Sequence, residues 1–224
     1  METILFWDID GTLLNTGRAG IYAWEEGIKE ISGKTTNLSN MKTAGLTDFH
    51  IANLILEENG IRPENEIVKK LLQLYEEYLP DSLPRKNGFV LKNVNEILTE
   101  LTKIDNIKSF LLTGNTPSGA KSKLTHFGLQ KYFTGGGFAD GEKDRSDIAH
   151  KALNYAKGEI EGVCLEKIFV IGDTPSDIEC GKKLGAKTIA VATGGYSVDQ
   201  LSEHKPWCVY KELPEFENFI QKIS

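Results

Sequence analysis

The chain has 224 residues, of which 40% are hydrophobic and 26% are charged, and its formal net charge is -6. This length suffices for one large domain or two modest ones with a well-filled core. The negative charge argues against a broad nucleic-acid-binding surface, and no apolar stretch of the sequence reaches membrane length. The amino terminus shows no secretion signal. We therefore expect a cytoplasmic protein that binds neither nucleic acid nor membranes.

The cysteines do not suggest a disulfide framework or a zinc site. There are three, Cys164, Cys180 and Cys208, and no two of them form a CxxC pair. An odd number without paired spacing is typical of free thiols in a reducing compartment. An anionic small-molecule substrate remains compatible with the net charge, because a local cation can reverse the field inside a cleft.

The first predicted element is a buried strand that ends in two acidic residues. Four apolar residues, Ile4 to Trp7, run directly into Asp8 and Asp10, and Gly11 then breaks the pattern. An apolar run without polar alternation is typical of a strand in a parallel sheet flanked by helices. Residues two apart on a strand share a face, so Asp8 and Asp10 could share one cation. The alternative interpretation is an ordinary Asp-Gly turn.

A helical segment follows this strand. Apolar residues at helical spacing predict three helices between about residues 18 and 79, with Thr47 as the candidate N-cap of the second. The stretch that holds Pro80, Pro84 and Gly88 then predicts a boundary. We therefore predict a helical insertion at residues 15–85, and a core domain that is built from residues 1–14 and 86–224.

Beyond the insertion the pattern changes to alternating helices and strands. Strands are predicted at 109–113, 167–173 and 188–192, and helices precede or follow each of them. The triplet from Gly135 to Gly137 is interpreted as a turn. Alternation of this kind indicates an α/β fold, with a doubly wound, Rossmann-like parallel sheet as the core and an all-helical domain inserted into it.

Three of the predicted strands end in polar residues that would meet at one edge of the sheet. These ends are Asp8-Ile9-Asp10, Thr113-Gly114-Asn115 and Gly172-Asp173-Thr174-Pro175-Ser176-Asp177. Ligands of open parallel sheets bind at the carboxyl ends of the strands, so we predict a single site. Four carboxylates there would repel one another unless a divalent cation held them, and the hard ion Mg²⁺ suits oxygen ligands. Acids, Mg²⁺, a hydroxyl and a helix N-terminus together match the needs of phosphoryl transfer.

Some of these residues also have a purely structural interpretation. Thr116-Pro117 and Thr174-Pro175 both resemble an N-cap followed by proline at the first helical position. Asp177 falls near the N3 position of the second helix, where an acid favours the helix dipole with or without chemistry. Only the combination of three strand ends favours a functional site.

These motifs resemble those of the haloacid dehalogenase-like hydrolase superfamily. The likeness rests on Asp8-Ile9-Asp10-Gly11-Thr12-Leu13, on Leu112-Thr113-Gly114-Asn115 and on the Gly172 to Asp177 segment, in the order of the family. The inserted helices resemble its small helical cap, so the likeness covers essentially the whole chain. The resemblance implies a Mg²⁺-dependent phosphatase that acts on a small phosphorylated metabolite and is a monomer or a homodimer.

The resemblance also implies roles for the acidic residues. Asp8 is implied to be the nucleophile that takes the phosphoryl group as an aspartyl-phosphate. Asp10 is implied to be the acid that protonates the leaving group and the base that then activates water. Asp173 is implied to bind Mg²⁺ together with Asp8 and the carbonyl group of Asp10. Asp177 is implied to act in or next to this metal site.

Other residues are implied to contact the phosphoryl group or to balance its charge. Thr113, with the backbone around Gly114 and Asn115, is implied to hold the phosphoryl oxygens. The family usually places a lysine between its second and fourth motifs, and the candidates here are Lys143 and Arg145. We prefer Arg145, because the segment Asp144-Arg145-Ser146-Asp147 resembles that of members with an arginine. The alternative is that Asp144 caps a helix and Arg145 is solvated.

Substrate contacts from the insertion are predicted at one loop. The segment from Lys42 to Asp48 precedes a predicted helix and resembles, in its position, the substrate-contacting loop of the family's cap. Lys42 is therefore a candidate contact, and Arg18 is a second cation that could meet the leaving group. Thr47 and Asp48 have the alternative role of only beginning the helix.

Three other functions compete with the phosphatase. A phosphomutase of the same superfamily would carry the same motifs and return the phosphoryl group to another hydroxyl of a sugar. A dehalogenase uses no metal and does not need the second acid, so Asp10, Asp173 and Asp177 argue against it. A signalling module phosphorylated on Asp8 would be about half as long and would lack the helical insertion.

Overall fold

The computed structural model describes residues 2–141 and 145–223, with the side chain of Ser146 excepted. Its strands are β1 (Thr3–Trp7), β2 (Leu14–Asn15), β3 (Phe89–Val90), β4 (Ile107–Leu112), β5 (Gly136–Gly137), β6 (Ile168–Gly172), β7 (Lys187–Val191) and β8 (Cys208–Tyr210). Its α-helices are α1 (Ala19–Ser32), α2 (Asp48–Glu58), α3 (Asn65–Ser82), α4 (Val94–Leu101), α5 (Pro117–His126), α6 (Arg145–Glu159), α7 (Pro175–Leu184), α8 (Val198–Glu203) and α9 (Phe216–Ile223).

The core is a parallel sheet of six strands in the order β5-β4-β1-β6-β7-β8. Every pair of neighbours in it is parallel. Strand β1 lies near the centre and alternates its side chains between two apolar layers. Leu5 and Trp7 pack in a cluster with residues of α4 and α9, whereas Ile4 and Phe6 pack with residues of α6 and α7. Both faces are therefore covered, which explains the uninterrupted apolar run and confirms the predicted fold class.

The glycine triplet, predicted to be a turn, contains the edge strand β5. Gly136 and Gly137 pair in parallel with Leu111 and Leu112 of β4. The chain here comes so close to its neighbours that a Cβ on Gly136 would lie 2.1 Å from the carbonyl oxygen of Leu111. Glycine has no β-propensity, so the sequence pattern could not reveal a strand that depends on close backbone packing.

Two further predictions about the elements were incomplete. Helix α3 continues through Pro80 to Ser82, although we expected it to end before this proline. Pro80 lies in the last turn, where its missing N–H removes one helical hydrogen bond close to the helix end. Beyond β7 the chain adds α8, β8 and α9, for which the sequence pattern gave no clear signal.

The helical insertion has its own apolar cluster. Residues of α1, α2 and α3 pack together there, and the ring of Trp24 stacks on that of Tyr75 with their centroids 3.9 Å apart. The two chain segments that lead into and out of the insertion lie side by side, because β2 and β3 pair antiparallel. The exact domain limits, after residues 14 and 85, stay a prediction. No described helix combines the length and apolarity needed to cross a membrane.

Candidate active site

Three predicted acidic residues converge at the carboxyl edge of the sheet. Asp8 follows β1, Asp173 follows its neighbour β6, and Asp177 lies in the first turn of α7. All three are buried, and each offers a carboxylate oxygen within 4.8 Å of those of the other two. Parallel pairing of β1 and β6 thus brings together residues that are more than 160 positions apart.

Two glycines allow the chain to pack against Asp173. Gly11 has a φ of 80°, and a Cβ on it would lie 2.4 Å from Asp173 Oδ2. A Cβ on Gly194 would lie only 1.7 Å from the same oxygen. The Thr12 hydroxyl donates to Asp173 Oδ1 over 3.3 Å. Glycine is required at Gly11 for both its backbone conformation and its lack of a side chain.

The two carboxylate oxygens of Asp177 have different roles, one at the start of helix α7 and one in the acid cluster. Its Oδ2 accepts from the backbone N–H of Thr174 at 3.0 Å and from the Thr174 hydroxyl at 2.7 Å, which forms the predicted cap of α7. Its Oδ1 lies 2.7 Å from Arg145 Nη2 as an ion pair. That contact lacks hydrogen-bond geometry, and Oδ1 has no hydrogen-bond donor among the described residues. One oxygen therefore caps the helix, and the other faces the acid cluster.

Arg145 is the buried cation of this cluster. It begins α6, and its Nη2 donates to Asp8 Oδ1 at 3.1 Å while also pairing with Asp177. Only 6% of Arg145 is exposed, so the alternative interpretation of a solvated residue is wrong. The other candidate, Lys143, lies outside the described residues, as does Asp144.

Burial and mutual repulsion control the ionisation of the cluster. Burial raises the pKa of Asp8 to about 7, an effect that Arg145 opposes and the carboxylates of Asp177 and Asp10 increase. Burial also raises the pKa of Asp173 well above its usual range, and the charge of Asp8 adds to this rise. Among the described residues, three buried carboxylates thus face one guanidinium. A hard divalent cation such as Mg²⁺ fits this oxygen-only donor set and would relieve the repulsion.

The side chain of Asp10 turns to a different set of partners. Its Oδ2 accepts from Lys123 Nζ at 2.6 Å and from Asn115 Nδ2 at 2.9 Å. Lys123 Nζ also donates to Asn115 Oδ1 at 2.5 Å, which closes a triangle of side chains. Asp10 keeps 41% of its side chain exposed. The metal role predicted for Asp10 concerned its carbonyl group and stays a prediction.

Lys123 is a site residue that sequence reasoning missed. It lies on α5, and only 5% of it is exposed. The signal in the sequence was its place on the helix, three residues after Ala120 and next to Leu124, both of which are buried. A lysine on the buried face of a predicted helix needs a polar partner.

The residues predicted to hold the phosphoryl group occupy the loop after β4. Thr113 is fully buried, and its hydroxyl oxygen accepts from the Asn115 side chain at 2.8 Å. The carbonyl of Gly114 accepts from the backbone N–H of Asp48 at 2.7 Å. Asp48 Oδ2 in turn accepts from the backbone N–H of Thr116 at 2.8 Å. The N-terminus of α2, capped by Thr47 as predicted, therefore contacts this loop directly.

A cavity of about 340 Å³ lies between the sheet edge and the helical insertion. Its lining includes Asp8, Asp10 and Lys123 from the core, and Trp24 and Tyr75 from the insertion. Of the predicted contacts, Gly114, Asn115 and Arg18 also line it. Lys42 is exposed, and neither Lys42 nor Thr113 is among the described residues that line the cavity.

Comparison with known proteins agrees with the motifs. The family described as haloacid dehalogenase-like hydrolase matches residues 4–191. The phosphoglycolate phosphatase of Aquifex aeolicus is 30% identical over 204 residues, which cover 88% of this chain and 86% of that protein. A hydrolase structure from Pseudomonas syringae shares the fold, with a TM-score of 0.73 and 19% identity over 100% of both chains. A haloacid dehalogenase-like structure from Streptococcus pneumoniae has a TM-score of 0.67 at 18% identity, covering 100% of this chain and 99% of its own. The chain therefore belongs to the haloacid dehalogenase-like hydrolase family, and the prediction of an enzyme is confirmed.

Proposed function

We propose that the protein is a Mg²⁺-dependent phosphatase that hydrolyses a small phosphate monoester through an aspartyl-phosphate on Asp8. One observation carries this proposal: the aspartates of the Asp8-Ile9-Asp10 motif stand in separate environments, each beside its own buried cation. Such a division suits one carboxylate that attacks and another that transfers protons. A dehalogenase would not need the second of these.

Asp8, Asp173 and Asp177 are the residues that would hold Mg²⁺. When bound, the ion supplies positive charge to the phosphoryl oxygens and to the attacking carboxylate. The Asp10 carbonyl group is proposed as a further ligand. The guanidinium of Arg145, which contacts Asp8, orients the nucleophile and opposes the rise in its pKa that burial causes.

The reaction then follows from the two carboxylates. An oxygen of Asp8 attacks phosphorus, the bond from phosphorus to the leaving oxygen breaks, and Asp10 gives that oxygen a proton. Asp10 next removes a proton from water, whose oxygen attacks the phosphorus of the aspartyl-phosphate. Inorganic phosphate leaves, and Asp8 is restored. The exposure of Asp10 to the cavity supports its proton-transfer role.

Phosphoryl binding is assigned to Thr113 and to the backbone around Gly114 and Asn115. Gly114 and Asn115 line the cavity, whereas Thr113 is fully buried and its hydroxyl oxygen accepts from the Asn115 side chain, so the loop backbone is the better placed part of this group. From the insertion, Arg18 is the better placed of the two proposed cations, because it lines the cavity and Lys42 does not. The small cavity and the named activity of the Aquifex relative support a small monoester such as phosphoglycolate.

The direct test is the variant Asp8→Asn. With MgCl₂ present, the parent should release phosphate from p-nitrophenyl phosphate and from phosphoglycolate. Asp8→Asn should lower kcat by at least about 10⁴-fold, the scale seen when a nucleophile is removed. The exposed Asp105→Asn serves as the matched control and should retain parental rates. Near-normal turnover by Asp8→Asn would rule out the proposed mechanism.

A further inference from the structure

Lys123 is a largely buried residue in the wall of the active-site cavity, and polar groups restrain it. Burying an ammonium group is unfavourable unless polar partners compensate for its lost hydration. The Asp10 carboxylate and the Asn115 amide oxygen contact Lys123 Nζ at 2.6 Å and 2.5 Å. One of these two acceptors is a carboxylate, which suits an ammonium group. Direct polar contacts therefore hold the Lys123 ammonium group in place.

The contacts of Lys123 select one oxygen of Asp10. Lys123 Nζ and Asn115 Nδ2 both donate to Oδ2. An oxygen that already accepts two hydrogen bonds, one of them from a cation, is a poor site for a proton. The proton that Asp10 exchanges with substrate or water therefore belongs on Oδ1. With Oδ2 held from two directions, the plane of the carboxylate also has little freedom to rotate.

The helical insertion contributes one residue, Asp48, to the surroundings of Lys123. Asp48, the first residue of α2, binds the backbone of the loop that carries Asn115 through both its N–H and its carboxylate. The negative charge of Asp48 also acts on Lys123. The lysine thus lies where the insertion, the loop after β4 and Asp10 meet. A purely structural ion pair would not need to line the cavity, as Lys123 does.

We propose that Lys123 is a positioning residue for proton transfer: it fixes Oδ2 of Asp10 so that Oδ1 faces the leaving oxygen of the substrate. This inference rests on the proposed phosphatase function. It assigns to Lys123 no contact with the phosphoryl group and no proton of its own. Its loss should therefore harm the step in which a proton reaches the leaving group, and leave the attack by Asp8 nearly intact.

The test compares two phosphate esters with the variant Lys123→Met, which keeps the length of the side chain and removes its charge. Ethyl phosphate has a poor leaving group that needs a proton, whereas 2,4-dinitrophenyl phosphate has one that leaves without it. We expect kcat/KM to fall by about 10²-fold for ethyl phosphate and by less than about 5-fold for the aryl ester, since general acid catalysis contributes roughly 10²–10⁴-fold. The exposed Lys121→Met, on the same helix, should change neither value.

Misfolding cannot mimic this result. The ratio of the two kcat/KM values, measured on one preparation, does not depend on the fraction of folded enzyme. Lys123→Arg, which retains a cationic donor, should keep the ratio closer to that of the parent. Asp10→Asn should show the same selective loss, and adding Lys123→Met to it should lower the ethyl phosphate rate little further, because the two residues act as one unit.

Two outcomes would overturn the proposal. An equal fall in kcat/KM for both esters would show that Lys123 has a structural role only. A higher kcat/KM of Lys123→Met for ethyl phosphate would mean that the charge of Lys123 merely hinders protonation of Asp10. If the parent hydrolyses neither ester with Mg²⁺ present, the proposed phosphatase function fails instead, so the two failures are distinguishable.

Discussion

The two aspartates of the first motif are separated by one residue, yet they lie in opposite environments. Asp8 is buried in a cluster with Asp173, Asp177 and Arg145. We call this cluster the nucleophile side. Asp10 is 41% exposed in its side chain and is bound by Lys123 and Asn115. We call this group, with Asp48, the proton side. Spacing alone suggested that both aspartates could share one cation.

The difference arises where β1 ends. The strand stops at Trp7, before both aspartates, so the alternation of a strand does not apply to them. The chain turns at Gly11, whose backbone N–H donates to the carbonyl of Leu14, three residues further along the chain. This turn directs the Asp10 side chain toward α5. Paired acids therefore need separate electrostatic partners when one acts as a nucleophile and the other exchanges protons.

Removal of metal should have the largest effect and should act through the nucleophile side. After thorough dialysis against EDTA we expect no measurable phosphatase activity, and addition of Mg²⁺ should restore it. Mg²⁺ should also raise the Tm of the parent, because it relieves repulsion among buried carboxylates. Asp173→Asn should lose that rise in Tm, whereas Asp10→Asn should keep it. Full activity after chelation would contradict the assignment of Asp8, Asp173 and Asp177 as metal ligands.

Substitution of Arg145 should have the next largest effect. Arg145→Met removes the guanidinium that contacts Asp8 and Asp177. We expect kcat/KM to fall by about 10²–10³-fold, the scale at which loss of one preorganised charge acts. The fall should be similar for ethyl and 2,4-dinitrophenyl phosphate, unlike that of Lys123→Met. The exposed Arg62→Met is the control. A fall in kcat/KM confined to ethyl phosphate would show that Arg145 acts on proton transfer, as proposed for Lys123, and would contradict the assignment of separate roles to the two sides.

The smallest expected effect concerns the pH dependence of stability on the proton side. Burial raises the pKa of Asp48 from 3.8 to about 6, with Lys123 opposing the rise. The folded state therefore binds this proton more tightly than the unfolded state does, so stability increases as the pH falls through 6. Between pH 7.5 and pH 5 the free energy of unfolding should rise by about 1.4 kcal/mol from this group.

The variant Asp48→Asn isolates that contribution. Its amide oxygen can still accept from the backbone N–H of Thr116, but it no longer titrates. Urea unfolding of parent and variant at several pH values should show the parent gaining stability relative to the variant as the pH is lowered. Parallel curves for the two proteins would show that Asp48 does not titrate in this range.

The sequence by itself determined the elements that local pattern encodes. The apolar run before Asp8 predicted a strand covered on both faces, and the strand after residue 167 predicted Asp173 at its end. Thr47 was predicted correctly as the N-cap of α2. Each of these depends on periodicity or on contacts within a few residues, which are visible along the chain. Parallel topology then sufficed to predict that the acids would meet.

The tertiary structure alone revealed that Lys123 serves Asp10, and it showed that Arg145, which the family resemblance had suggested, contacts Asp8. Lys123 and Asp10 are 113 residues apart, and Arg145 and Asp8 are 137 apart, so no local pattern links them. The same limit explains the strand of Gly136 and Gly137, which exists because of close backbone contact with β4. A buried charge acquires its role from the groups that replace its water, and folding alone brings those groups together.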